Sequence, residues 1–257
     1  MKIKSIASIT LFMILFMNNL MSQTKVIAHR GYWDCEGSAQ NSISSLQKAQ
    51  ESKVYGSEFD VWLTSDGVLV VNHDDAIEGQ KIEDTSYAQL KDIRLKNGEK
   101  LPTLEMYLQQ GKKDGNTKLI LELKTHSSKE KEDRAVVAVV AMVEKAGMKK
   151  QTEYISFSLN ICKELVRLSP KAKVAYLNGE LAPKDLKALK INGIDYHLNV
   201  LQKNKHWIEE AHQLKMKVNV WTVNREEDMQ EMITAGVDFI TTDNPVLANN
   251  LVQKSKK

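Results

Sequence analysis

Two cysteines in 257 residues are too few for a disulfide scaffold. Nothing in the sequence brings Cys35 and Cys162 within bonding distance, so both are expected as free or buried thiols. Four prolines and the lack of any Pro/Gly/Ser-rich stretch leave no linker at which to divide the chain. No block of one charge sign occurs either. The formal charge of +3 is spread among acidic residues, which argues against a nucleic-acid surface. The one long apolar run, Ile6 to Met17, is too short to span a bilayer comfortably.

That run follows Lys2 and Lys4 and precedes small and polar residues ending at Ser22, the layout of a secretory leader. Residues 1–22 are therefore expected to be a signal peptide, and 23–257 one exported domain, periplasmic or extracellular. A retained membrane anchor is the alternative. Without the leader the formal charge is +1, and no stable membrane insertion is expected.

The remaining length suits a single large domain with a substantial core. Strands are expected at Val26–His29, Glu58–Leu63, Leu119–Leu123, Tyr154–Phe157, Val174–Leu177, Ile194–Leu198, Val218–Val223 and Phe239–Thr241. Helical spacing covers Ser42–Lys53, Leu104–Lys112, Lys129–Ala146, Leu159–Leu168, Pro183–Lys190, Lys205–Leu214, Glu226–Thr234 and Pro245–Val252. Eight strand–helix units of this size predict a TIM-type (β/α)₈ barrel. A doubly wound open sheet is the alternative, but has no reason to stop at eight units. Val68–Val71 should turn at Ser65-Asp66-Gly67 and pair with the second strand. Residues 75–100 are too long for a simple loop and should form a small insertion after it.

The chemistry-bearing residues fall at strand ends, where a barrel of this kind carries its site. Glu58 and Asp60 lie two apart on one strand, so both point to one face, about 7 Å apart. They repel unless a cation lies between them, and oxygen donors suit Mg²⁺ or Ca²⁺. Glu122 and Lys124 repeat the spacing on strand three. His29 and Arg30 end strand one, His73 follows the hairpin, Trp221 ends strand seven and Asp243 follows strand eight. Trp221 is weighed evenly between packing and substrate contact. His126, His206 and His212 are expected at the surface, while His197 is ambiguous.

These groups balance as a set. Three carboxylates are offset by one divalent cation, Arg30 and Lys124, leaving room for one phosphodiester charge. Arg30 offers a flat fork to two phosphate oxygens, and Lys124 a point charge. Without cation and substrate, carboxylates and bases must pair directly.

In order and spacing, Ala28-His29-Arg30-Gly31, Glu58-Phe59-Asp60-Val61, Thr64-Ser65-Asp66-Gly67 and Val70-Val71-Asn72-His73-Asp74 resemble the glycerophosphodiester phosphodiesterase family. Leu101-Pro102-Thr103-Leu104-Glu105, Leu121-Glu122-Leu123-Lys124, Ser156-Phe157, Val220-Trp221-Thr222-Val223-Asn224 and Thr242-Asp243-Asn244-Pro245 extend the likeness from about Val26 to Pro245. The resemblance implies a TIM-type barrel, one Mg²⁺ or Ca²⁺, and release of glycerol phosphate and an alcohol from a small phosphodiester. It implies His29 and His73 as the acid–base pair, Glu58, Asp60 and Glu122 as metal ligands, and Arg30 and Lys124 on the phosphate. One departure stands out. Ala39-Gln40-Asn41-Ser42 replaces the family's Pro-Glu-Asn-Thr, turning a carboxylate beside His29 into an amide. Two rival functions remain: a phospholipase C- or D-like enzyme with Tyr32, Trp33 and Trp207 on an apolar rim, or a barrel that binds anions without catalysis.

Overall fold

The computed structural model describes residues 23–255. The leader expected at residues 1–22 lies outside them. Eight parallel strands close into a barrel: β1 (Lys25–Ala28), β2 (Gly56–Leu63), β6 (Lys118–Leu123), β7 (Thr152–Ser156), β8 (Val174–Tyr176), β9 (Gly193–His197), β10 (Lys217–Trp221) and β11 (Phe239–Thr242). Closure is made by β1, which pairs with β11 through Lys25–Phe239 to Ala28–Thr242 and with β2 through Ile27–Gly56.

The predicted hairpin is present. Strand β3 (Leu69–Val71) runs antiparallel to Val61–Leu63, and Gly67 takes the left-handed conformation in the turn. Beyond it the insertion contains β4 (Ala76–Ile77), β5 (Gln80–Lys81), a 3₁₀ turn (Ile82–Asp84) and α2 (Tyr87–Leu90). It packs its own small core of Trp62, Val70, Ile82, Leu90, Ile93 and Leu101.

The outer helices are α1 (Ile43–Glu51), α3 (Leu104–Gly111), α4 (Lys129–Lys145), α5 (Leu159–Leu168), α6 (Pro183–Ala188), α8 (His206–Gln213), α9 (Glu226–Ala235) and α10 (Pro245–Lys254). Several begin on the residue types that satisfy orphan amides. Ser42, Thr103, Ser128, Ser158 and Asn244 each accept from the amide three residues on. A short helix, α7 (Leu198–Lys203), was not expected. Strand β9 stops at His197, whose Nδ1 accepts from the Asn199 amide at 3.2 Å and caps α7. That settles His197 as a capping residue with one ring edge on Trp221.

Strand alternation divides the core. Phe59, Val61, Leu119, Leu121, Leu123, Val218 and Val220 face the helices, against Leu46, Tyr107, Val136, Leu165 and Met229. Ile27, Ile120, Ile155 and Leu177 fill the barrel with Tyr55, Phe157, Trp221 and Phe239. Glu58 and Asp60 stand beside Ile120 and Glu122 in register, so the carboxylates share the inward face.

His126 corrects an expectation: it is buried, not at the surface. Its Nδ1 donates to the Lys124 carbonyl at 2.8 Å, and its Nε2 accepts from the Leu63 amide at 3.2 Å. The ring thus ties the end of β6 to the end of β2, a partnership that exists only once the strands are adjacent. Glu83 of the insertion docks nearby on the Ser127 amide, with Lys81 and Lys131 on its other oxygen. Burial would raise its carboxyl, but these donors outweigh that and bring it to about 2. His206 is exposed as expected, whereas His212 is partly covered, its Nε2 2.9 Å from Asp238 Oδ2. Both cysteines are free thiols, Cys162 buried.

Asp195, inside the barrel on β9, has one carboxyl oxygen without a partner. Burial pushes this carboxyl up to about 7 despite help from Asn219. The folded chain therefore holds a proton where the unfolded chain has lost it, and stability falls as pH rises between the two pKa values. Asp195→Asn should raise the unfolding midpoint at pH 8 by several degrees, reflecting a few kcal/mol. Near pH 4 the gap should close. An equal gain at both pH values would show that the buried charge is not the cause.

Candidate active site

The site lies at the C-terminal mouth of the barrel, and its first part is built by a sharp turn after β1. Arg30 and Gly31 both have positive φ, which reverses the chain so that the Arg30 amide donates to Glu58 Oε2 at 2.7 Å. Gly31 then donates to the Glu58 carbonyl at 3.0 Å. A Cβ on Gly31 would lie 2.3 Å from Ser45 Oγ, so only glycine lets α1 pack here.

Glu58, Asp60 and Glu122 are all buried, and an oxygen from each lies within 4.8 Å of the others. Lys124 reaches Glu122 at 2.7 Å and Asp60 at 3.1 Å, and Arg30 Nε stands 3.9 Å from Asp60. Asn41, also at positive φ, donates to Asp60 Oδ2 at 2.8 Å and accepts from the Asp60 amide at 3.2 Å.

The electrostatics show too little positive charge for three buried acids. Burial, then the charges of Asp60 and Glu122, push Glu58 well above the carboxylate range. Burial and Asp60 push Glu122 up to about 7. Asp60 goes the other way: burial opposes ionisation, but Lys124, His73, Asn41 and Arg30 hold its carboxyl low. Burial lowers the Lys124 ammonium, yet its two carboxylate partners more than reverse this and raise it. An all-oxygen donor set with surplus negative charge, its oxygens clustered within 4.8 Å, fits a hard divalent cation.

The histidines stand on separate supports. His29 Nδ1 lies 2.8 Å from Asp243 Oδ1. Asp243 is held by Trp33 Nε1 at 3.0 Å and Asn224 Nδ2 at 2.7 Å. Burial would raise its carboxyl, but His29, Asn224 and Trp33 together bring it down to about 2. His73 Nδ1 meets Asp74 Oδ1 at 2.7 Å. Burial lowers the His73 imidazole, with Asp60 pulling the other way. Arg30 Nη1 donates to Gln40 Oε1 at 2.8 Å, leaving Nε unpartnered.

Trp221 donates from Nε1 to the Asp195 carbonyl at 2.9 Å and meets Phe157 edge-on. It closes the barrel's apolar interior from above and stays partly exposed to the mouth.

The glycerophosphoryl diester phosphodiesterase family matches residues 29–247. The chain belongs to that family. It is an enzyme of the glycerophosphodiester phosphodiesterase type. A glycerophosphodiester phosphodiesterase of Caldanaerobacter subterraneus subsp. tengcongensis is 30% identical over 247 residues, covering 90% of this chain and 99% of the relative. A glycerophosphodiester phosphodiesterase structure from Parabacteroides distasonis is 52% identical, with TM-score 0.91, over 91% of this chain and 99% of that one. A phosphodiesterase of Oleispira antarctica, solved with its product sn-glycerol-3-phosphate, shares the fold at 23% identity and TM-score 0.78, covering 90% and 97%.

Within this phosphodiesterase fold, two supports were missed or undervalued from sequence. Ser42 caps α1, while Asn41 beside it buttresses Asp60, a role that no local pattern signals. Asp243 was placed on the right face without a partner. Its block, Thr242-Asp243-Asn244-Pro245, was the available signal, but the contact with His29 spans 214 positions.

Proposed function

We propose that this family member hydrolyses water-soluble glycerophosphodiesters to glycerol phosphate and an alcohol, with His29 and His73 moving the protons. Glu58, Asp60 and Glu122 would hold one Mg²⁺ or Ca²⁺, which when bound supplies Lewis-acid polarisation of a phosphate oxygen and a substrate hydroxyl. The observation that carries the reading is the buried carboxylate triad, short of positive charge, with Arg30 and two separately supported histidines around it.

Arg30, whose Nη1 is held by Gln40 and whose Nε edge faces Asp60, would turn the rest of its guanidinium to the phosphate. Lys124, shared between Asp60 and Glu122, is a fixed positive charge beside the same position. Asp243 holds the Nδ1 side of His29, leaving Nε2 for proton transfer; Asp74 does the same for His73. One imidazole accepts the proton of the attacking hydroxyl while the other protonates the departing alcohol oxygen. If the glycerol's own neighbouring hydroxyl attacks first, a cyclic phosphate forms and water opens it.

A lipid substrate is disfavoured because, among the described residues, no large hydrophobic side chain at the barrel mouth is fully exposed. Among the described residues the exposed large hydrophobics are Met106, Val137 and Val246, all on outer helices. Tyr32 and Trp207 pack against the core, and Trp33 is tied to Asp243. Product analysis on soluble glycerophosphodiesters and on a phospholipid dispersion, with Mg²⁺ and Ca²⁺ separately, tests the reading. Glycerol phosphate should appear from the soluble diesters and not from the dispersion. Tight binding of glycerol phosphate without turnover under either cation would overturn it in favour of a non-catalytic barrel.

A further inference from the structure

We propose that a groove beside the barrel mouth receives the alcohol arm of the diester, and that it selects an alcohol bearing both an ammonium and a carboxylate group. The proposal rests on the hydrolytic reading above and adds the substrate class. The groove has a volume of about 710 Å³ and lies between the loop after β1 and the insertion. It borders the reaction centre: Gln40, which holds Arg30, and Asn72, which precedes His73, both line it.

The glycerol arm has no call on this space. Its attacking hydroxyl must lie over the carboxylate triad, and in an in-line displacement the leaving oxygen departs on the opposite side. The alcohol arm is thereby directed away from the triad, and the groove is the adjoining space.

The two walls differ in sign. Asp34 and Glu36 stand on the β1 loop beside Trp33, while Arg94 and Lys96 stand on the insertion. All four are exposed, and none is in an ion pair among the described residues. An ammonium group gains from the indole face and the two carboxylates. A carboxylate on the same alcohol gains from the facing guanidinium and ammonium. An uncharged arm such as glycerol uses neither wall.

Trp33 connects this groove to the chemistry. Its Nε1 donates to the same Asp243 oxygen that meets His29, at 3.0 and 2.8 Å. An arm lying against the indole steadies that carboxylate and, through it, the imidazole. Trp33 is thus a positioning residue as well as a wall.

The experiment measures kcat and KM on the glycerophospho-serine, -ethanolamine and -glycerol diesters. The serine diester should exceed the glycerol diester in kcat/KM by roughly tenfold, the scale of one charge-assisted contact, with ethanolamine between. D34N/E36Q and R94Q/K96Q should each collapse that ratio through KM. W33F, which keeps the ring and loses the N–H, should lower kcat on all three roughly tenfold with KM little changed. W33A should also raise KM for the serine diester. A serine-to-glycerol ratio near one, or a ratio that survives both double substitutions, overturns the selection. Ethanolamine matching serine overturns the carboxylate half, and an unchanged kcat in W33F overturns the positioning role. These failures are separable from failure of the hydrolytic reading, in which the unaltered chain would turn over none of the three.

Discussion

Asp60→Ala is expected to abolish metal-dependent turnover while leaving a folded barrel. Asp60 is the most heavily engaged of the three carboxylates, contacting Lys124, Asn41 and the edge of Arg30. It is also the one whose ionisation those neighbours favour, whereas Glu58 and Glu122 are pushed toward their neutral forms. Its loss would remove from the proposed ligand set the carboxylate whose ionisation its neighbours already favour. Lewis-acid stabilisation is worth several kcal/mol, so the expected fall is at least about 10³-fold. Folding should survive, because removing one of three crowded acids also relieves repulsion. Circular dichroism should be unchanged, and a chelator should reproduce the loss in the parent protein reversibly. Undiminished turnover by a metal-stripped sample would end the cation's role in this account.

The histidines should show the second large effect. Either His29→Ala or His73→Ala alone should slow turnover by roughly 10²–10⁴-fold, the usual range for a general acid or base. The double variant should lose less than the product of the single losses if both serve one step. Rate against pH should be bell-shaped, one limb reporting the required base and the other the required acid. A nitrophenyl ester, whose leaving group needs little protonation, assigns the roles. It should rescue the variant lacking the acid and leave the variant lacking the base impaired. A fall of less than tenfold from both single substitutions would make the histidines structural.

Much of this arrangement is legible in the sequence. The Glu58-x-Asp60 and Glu122-x-Lys124 pairs are local: a period of two puts both members on one face wherever the strand lies. All eight barrel strands fell within two residues of their expected ends, because buried parallel strands read as apolar runs bounded by turn residues. Ser65-Asp66-Gly67 likewise announced the hairpin. The misreadings have one cause in common. His126 stands in a polar Thr-His-Ser-Ser stretch that looks like exposed loop, yet it is buried on the Leu63 amide 63 positions away. Helix α7 was hidden because Leu198 continues the apolar pattern of β9, and only the turn at His197 ends the strand.

The sequence alone determined the strand–helix order, the face on which each carboxylate stands, and a membership carried by nine ordered blocks. These depend on periodicity and spacing, which are properties of neighbouring residues. The tertiary structure alone decided that Asn41 braces Asp60, that Trp33 and His29 share one oxygen of Asp243, and that Asp34, Glu36, Arg94 and Lys96 line one groove. Each of these is a meeting between distant segments, fixed by barrel closure rather than by any local pattern.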